Sequence, residues 1–197
     1  VQERRRVMLQ LLRQHAAPDL PRLRLLEVGS GTGGNLLEFL RMGCSPEHLS
    51  GIELLPDRHA QARHVLPAAV HLYEGDALLA DVPHASQDVV LVSTVFSSVL
   101  DPAFQQSLAD ALWRWVRPGG AVLWYDFTFN NPNNPDVRGV PLRRVKELFP
   151  QAHITTRRVT LAPPLARRLA PIHPALYTLF NSMPWLRTHI LGWIAKP

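Results

Sequence analysis

The stretch that most restricts this chain is a short apolar run, Leu23-Arg-Leu-Leu-Glu-Val28, that enters Gly29-Ser-Gly-Thr-Gly-Gly34 and continues as Asn35-Leu-Leu-Glu-Phe-Leu40. It reads as a strand, a glycine turn and a helix. In such a turn one glycine reverses the chain and the next lets a ligand approach the backbone, while the helix start offers free N–H groups. Gly29, Gly31 and Gly34 satisfy G-x-G-x-x-G, a pattern that a tight structural turn alone could also produce.

The elements around it repeat the alternation. Residues 3–16 place Val7, Leu11 and Leu12 at helical spacing, and Pro18 and Pro21 end that lead helix. Further strands are expected at 49–54, 69–74, 88–93 and 121–126, with helices from Pro56 to about His64 and from Pro102 to Trp115. Asp88-Val-Val-Leu-Val-Ser93 is nearly all apolar, as a strand covered on both faces should be. Arg117-Pro-Gly-Gly120 reads as a turn. Strands alternating with helices predict an α/β fold, mostly parallel, with helices on both faces. Beyond residue 127 the pattern changes to an Asn-Pro loop, a short helix at 142–149, a strand at 152–161, a proline-rich stretch and a last strand from Thr188 to Ala195. Two late strands without a clean helix between them predict an antiparallel sheet edge.

Several polar residues fall at predicted strand ends. Glu27 precedes the first glycine. Glu53 closes the second strand, where an acid can hold two ribose hydroxyls; a solvated acid beside a helix is the plainer reading. Asp76 follows the third strand in Glu74-Gly-Asp-Ala77, where its carboxylate could accept from an adenine amine and Ala77 could offer its N–H. Asp also suits a turn after glycine. Ligands of open parallel sheets bind at the carboxyl ends of the strands, so these residues describe one adenosine-sized site.

Leu26-Glu-Val-Gly-Ser-Gly-Thr-Gly33, Gly51-Ile-Glu53, Glu74-Gly-Asp76 and Arg117-Pro-Gly-Gly120 resemble the ordered motifs of the class I S-adenosylmethionine-dependent methyltransferases over roughly residues 20–127. The resemblance implies a three-layer, doubly wound, mostly parallel seven-stranded sheet with an antiparallel edge strand. It also implies S-adenosyl-L-methionine as donor, held by Glu27, Gly29, Ser30, Gly31, Gly33, Glu53, Leu54, Asp76, Ala77 and Ser93. Phe96 would lie near donor or acceptor. Ser93-Thr-Val-Phe96 stands where family members that methylate base amino groups carry an acidic or Asn-Pro-Pro-aromatic signature, which speaks against that chemistry.

The transfer itself asks mainly for in-line alignment and exclusion of water, with a base for an oxygen acceptor. Tyr125 to Arg138 is the candidate acceptor wall. Asp126 is the catalytic candidate, or else a strand-end cap, and Asn130, Asn131 and Arg138 are substrate-binding candidates, although asparagines also serve plain turns. His153 and His189 read as packing residues, because no motif frames them. No metal-ligand spacing appears, so no metal is expected.

Charge bears on partners. Residues 1–137 hold 11 Lys/Arg and 15 Asp/Glu, a net of −4, whereas 138–197 hold 10 Lys/Arg and one acid, Glu147, a net of +9. A basic solvated face would explain this, as would an anionic partner. The acceptor is expected to be a small molecule carrying a hydroxyl: a sugar, a lipid-linked intermediate or a natural product. The tail around Pro163, Arg167, Tyr177, Trp185 and Trp193 could form a lid that meets lipid headgroups, giving peripheral membrane contact. Nucleic acid is not the expected partner. A nicotinamide-dependent oxidoreductase fits the same glycine loop, but no Tyr-x-x-x-Lys pair supports it; an RNA-binding or RNA-modifying domain on this fold would need an RNA motif that is not visible.

One methyltransferase domain is expected over 1–197: an N-terminal helix to 20, a cofactor-binding core over 21–160, a proline-rich insertion or lid over 161–187, and the last strand over 188–196. The single cysteine, Cys44, rules out an internal disulfide. No apolar run approaches the roughly 20 residues that span a bilayer, and Val1-Gln-Glu-Arg-Arg-Arg6 lacks signal-peptide order. A cytoplasmic location follows as the expectation. The chain opens on Val1 rather than Met, so residues are expected before it.

Overall fold

The computed structural model describes residues 2–15, 19–130, 134–169 and 173–197. Seven strands form one sheet: β1 (Leu25–Val28), β2 (Leu49–Glu53), β3 (His71–Glu74), β4 (Gln87–Ser93), β5 (Val116–Phe127), β6 (His153–Leu161) and β7 (Arg187–Ala195). Their order is β3-β2-β1-β4-β5-β7-β6. The helices are α1 (Gln2–His15), α2 (Gly34–Met42), α3 (Pro56–Val65), α4 (Pro102–Trp115), α5 (Leu142–Leu148), α6 (Pro163–Leu169) and α7 (Pro174–Asn181).

β3, β2, β1, β4 and β5 pair in parallel, as βαβ units require. β7 runs antiparallel to both β5 and β6, and β6 is the outermost strand. The antiparallel edge is therefore a β6–β7 pair in which the last strand of the chain inserts beside β5.

Strand side chains alternate between faces, and the core divides accordingly. Leu25, Val89, Leu91, Leu123, Leu191 and Trp193 pack with Met8, Leu11 and Leu12 of α1 and Phe39 of α2. Leu26, Val90, Val92, Val122, Trp124 and Ile194 pack on the opposite side with Leu108, Leu112 and Trp115 of α4 and Val145 of α5. The apolar continuity of β4 is the trace of a strand that feeds both cores.

Asp101 caps α4, accepting from the N–H groups of Ala103 (3.1 Å) and Phe104 (3.2 Å), with Pro102 fixed in the first turn. The expected turn at Arg117–Gly120 takes a different form. It is an excursion within β5: Gln87 faces Val116 and Val89 faces Ala121, so residues 117–120 bulge out of the register. The Arg117 guanidinium pairs there with Asp88, whose other oxygen accepts from the Arg24 N–H. Among the described residues no helix is long and apolar enough to cross a membrane.

Candidate active site

The glycine turn leaves the carboxyl end of β1 and meets the carboxyl end of β2 and Val95, just beyond β4. Gly29 and Ser30 each donate their N–H to the Ile52 carbonyl at 2.9 and 3.0 Å, which straps the turn to β2. Gly29 (φ +70°) and Gly33 (φ +84°) adopt left-handed backbone, and neither has room for a side chain: a Cβ would meet Val95 Cγ2 at 2.7 Å and Leu66 Cδ1 at 2.8 Å. Around Gly31 nothing lies within 4 Å of where a Cβ would stand. The turn is therefore walled on two sides and open at its middle. Gly51 serves the same turn from β2, since a Cβ there would meet the Ser30 side chain at 2.9 Å and Leu36 at 3.0 Å.

The carboxylates take distinct roles. Buried Glu53 accepts from the Gly31 N–H (2.7 Å) and the Leu55 N–H (3.0 Å), so it organises the turn. Glu27 is fully buried; one oxygen accepts from the Asn35 amide at 2.6 Å and the other has no partner. Burial pushes its carboxyl up to about 8, against the lowering pull of the Asn35 bond and the Arg4 charge, with Glu53 adding to the rise. The Ser30 hydroxyl is also buried without a partner. Asp76 accepts from the Leu78 N–H at 2.9 Å and caps the short helical turn Ala77–Leu79. Leu54 is exposed beside Glu53, and Ala77 and Ser93 are half-buried.

Open space at Gly31, two orphaned polar atoms under the turn and acids at the ends of β1 and β2 fit a polar, nucleoside-bearing donor. Glu27, Gly29, Ser30, Gly31, Gly33, Glu53, Leu54, Asp76, Ala77 and Ser93 could hold one.

The acceptor-side candidates separate. Asp126 is buried at the end of β5, accepting from the Ser97 N–H (3.0 Å) and the Phe127 N–H (2.9 Å). Burial raises it to about 6, and those bonds hold it from going higher. It ties β5 to the turn Phe96–Ser98. Phe96, expected near donor or acceptor, is 1% exposed and packs on Trp124 with ring centroids 4.5 Å apart. A phenyl group in that turn has the α4–α5 core beneath it and gains more there than in water. Arg138 is exposed and joins the turn by its backbone, its N–H donating to the Ser97 carbonyl at 2.8 Å. Asn130 is exposed and accepts from the Gly139 N–H at 3.0 Å. Asn131 lies outside the described residues.

Around Tyr125, which opens the candidate acceptor wall, the structure adds Arg4, His189, Thr94 and Thr160, which sequence reasoning did not single out for the site. Arg4 of α1 donates to the Asn35 carbonyl oxygen at 2.7 Å, and its guanidinium lies 4.9 Å over the Tyr125 ring. Tyr125 stacks on His189 (5.1 Å between centroids, 16° between planes), and its hydroxyl meets Thr160 Oγ1 at 2.9 Å. Burial, with the Arg4 charge, lowers His189 to about 4 and keeps it neutral near pH 7. Thr94 (φ +57°), whose N–H donates to the Tyr125 carbonyl at 2.7 Å, and Thr160 (φ +63°) are strained, left-handed β-branched residues. Strain of this kind gathers at functional sites. Only the β-branched character of Thr94 and Thr160 was visible in the sequence; their φ was not. Among the described residues no group of three or more His, Cys, Asp and Glu could hold a metal ion.

Comparison with known proteins agrees with this geometry. Residues 25–120 match the family described as a methyltransferase domain. No curated protein matches the chain by sequence. A S-adenosylmethionine-dependent methyltransferase from Archaeoglobus fulgidus superposes with a TM-score of 0.65 at 14% identity, covering 96% of this chain and 94% of that one. Phosphoethanolamine N-methyltransferase 2 from Haemonchus contortus, in complex with S-adenosyl-L-methionine, gives 0.67 at 16% identity over 98% of this chain and 53% of its own. A Thermotoga maritima structure described as a possible histamine N-methyltransferase gives 0.63 at 16% identity, covering 98% and 91%. At such identities the superpositions speak for the fold, and the match over residues 25–120 speaks for the family. Residues 25–120 thus match a methyltransferase domain, and the chain as a whole has the fold of the class I, S-adenosylmethionine-dependent methyltransferases.

Proposed function

We propose that this methyltransferase methylates a hydroxyl of a small anionic acceptor, such as a phosphorylated sugar, a lipid-linked intermediate or a related natural product. The observation that carries this reading is the charge of the segment that flanks the carboxyl end of β5. Residues 138–197 hold 10 Lys/Arg and the single acid Glu147. Such a surface repels a free ammonium and attracts a phosphate or carboxylate. The Haemonchus contortus enzyme, named for phosphoethanolamine, has an acceptor that pairs a phosphate with an amine; here the phosphate-like part is the one the charge suits.

When bound, the donor supplies a methyl group already activated on a sulfonium. In our reading the Gly29–Gly33 turn, with Glu27 and Ser30 beneath it, holds the amino-acid end. Glu53 and Leu54 face the ribose, Asp76 and Ala77 face the adenine, and Ser93 closes the edge beside β5. Asn130 and Arg138 orient the acceptor. The acceptor oxygen forms a bond to the methyl carbon as the carbon–sulfur bond breaks and its electron pair stays on sulfur. The hydroxyl proton leaves the oxygen, and Asp126, whose carboxyl is ionised above about pH 6, is the group we assign to draw it away. The two amide donors on Asp126 fix the angle of that carboxylate, and what they leave free is lone-pair capacity.

Release of S-adenosylhomocysteine, measured over a panel of hydroxyl-bearing phosphosugars and matched amines, tests the reading. Turnover restricted to the amines overturns it. With an active acceptor in hand, Asp126→Asn should lower kcat by about 100-fold or more with donor affinity unchanged, the size expected of a lost acid–base group.

A further inference from the structure

α1 is the element whose place in the site sequence periodicity hides, and its first turn makes a different contact with each of three consecutive residues. Glu3 pairs with Arg187 of β7 at 2.6 Å and also accepts from the Asn181 amide of α7. Arg4 donates to Asn35 at 2.7 Å. Arg5 pairs with Glu38 of α2 at 3.2 Å. Of these, only the Arg4 contact continues inward: Asn35 is bonded to Glu27. Glu27 sits on β1 between Gly51 of β2 and Leu91 of β4. The charged or polar groups facing it are Arg4 from α1, Asn35 from α2 and Glu53 from β2.

Two further observations mark this chain of contacts as more than helix docking. No carboxylate pairs with Arg4 among the described residues, although a half-buried cation normally finds one. Its other side rests on Tyr125, the residue that Thr94 and Thr160 hold at both ends. The guanidinium thus stands between the donor turn and the β5–β7 wall, and the acid it acts on keeps one buried oxygen unpartnered.

We propose that Arg4 is a positioning residue of the donor site, holding Glu27 through Asn35 while its guanidinium is clamped on Tyr125. It rests on the donor being bound at the Gly29–Gly33 turn. Arg4 keeps the Asn35 carbonyl oxygen turned outward, so the amide nitrogen faces Glu27 and fixes which oxygen stays open to the ligand. Its positive charge also makes ionisation of Glu27 easier, which suits a cationic donor.

Calorimetric titration of the whole chain with S-adenosylhomocysteine, repeated from roughly pH 6.5 to 9.5, tests this. Arg4→Met should weaken binding about tenfold, the loss of one charge-assisted hydrogen bond. It should also move the pH midpoint of the affinity by about one unit to the alkaline side, because a positive neighbour has been removed from a carboxyl. Arg4→Lys, which keeps the charge, should restore the midpoint while leaving part of the affinity loss. Asn35→Ala should weaken binding to a similar degree and should not add to Arg4→Met. Arg5→Met is the control for helix docking, with a lower melting temperature at most and no change of midpoint.

The ligand's own titration is common to every variant and cancels in the comparison. An Arg4→Met protein with wild-type affinity and midpoint, or one indistinguishable from Arg5→Met, overturns the proposal. A wild-type protein that takes up no S-adenosylhomocysteine points instead to failure of the donor-site reading beneath it.

Discussion

The half of the carboxyl edge that we assign to the donor is built mainly from backbone, and the half that we assign to the acceptor mainly from side chains. At the glycine turn the decisive contacts are N–H groups on the Ile52 carbonyl and on the Glu53 carboxylate, with Val95 and Leu66 pressing where side chains are missing. Across β5 the contacts are a guanidinium on a phenol, a phenol on an imidazole and a carboxylate on the Ser97 turn. Backbone geometry tolerates few substitutions because φ and close approach leave no slack. A side-chain wall can be rebuilt residue by residue, which is how one cofactor site can serve different acceptors.

The sharpest way to break this contrast is Gly33→Val. At φ +84° a β-branched residue is strained, and its Cβ would press on Leu66. Strain and overpacking together should cost about 3–5 kcal/mol, read as a lower urea midpoint and loss of donor binding. If the variant folds and binds normally, the turn is not the rigid half.

Next in size is a pH effect that separates the halves. Glu27 has a folded pKa of about 8, above its ordinary 4.5. The folded state then holds a proton that the unfolded chain has lost, so stability falls as pH rises from about 4.5 through 8. Glu27→Gln cannot ionise and should be more stable than wild type at pH 9, on the order of 3 kcal/mol. His189 works in the opposite sense. Its folded pKa of about 4 lies below the ordinary 6.5, so its contribution is present above pH 6.5 and fades as pH falls toward 4. His189→Gln should therefore flatten the acid limb of a thermal-stability profile and leave the alkaline limb alone. Exchanged effects would mean that the two halves do not titrate separately.

Glu53→Ala comes third. Removing the acceptor of the Gly31 and Leu55 N–H groups should weaken S-adenosylmethionine binding, expected to be micromolar, by about 1–3 kcal/mol. Unchanged calorimetric affinity would remove Glu53 from the donor site.

The same contrast explains what could be read before the fold was known. The parallel sheet with its antiparallel edge, the glycine turn and the strand-end positions of Glu27, Glu53 and Asp76 were legible because backbone demands leave residue types at fixed spacing. The purpose of Gly51 was not, since the need to admit Ser30 is a contact between neighbouring strands. The burial of Phe96 was not legible either, because spacing places a residue near a strand end without saying which way a short helical turn aims it. Arg4 was one basic residue among several on an amphipathic helix, and helical periodicity reports a face but not a hydrogen bond to Asn35. His189 was read as packing; its neutral state depends on burial and on Arg4, neither of which the sequence displays.

The smallest effect is expected at the outer rim of the acceptor half. Trp185 is 74% exposed and Leu179 and Phe129 are more than half exposed, all within the connections that border β7 and the end of β5. Little packing is lost when such a group is replaced, so Trp185→Ser should change folding stability and donor affinity by less than about 0.5 kcal/mol. A large side chain left in water on a basic surface suits an amphiphilic acceptor or a lipid surface. Turnover of a lipid-linked acceptor, or retention on anionic vesicles, should fall in that variant while turnover of a fully soluble acceptor holds. If Trp185→Ser instead lowers the melting temperature by several degrees, the rim is part of the core and the two halves differ less than their contacts imply. If every acceptor is turned over as before, the exposed tryptophan belongs to some other surface of the enzyme's work, and the basic residues alone carry recognition.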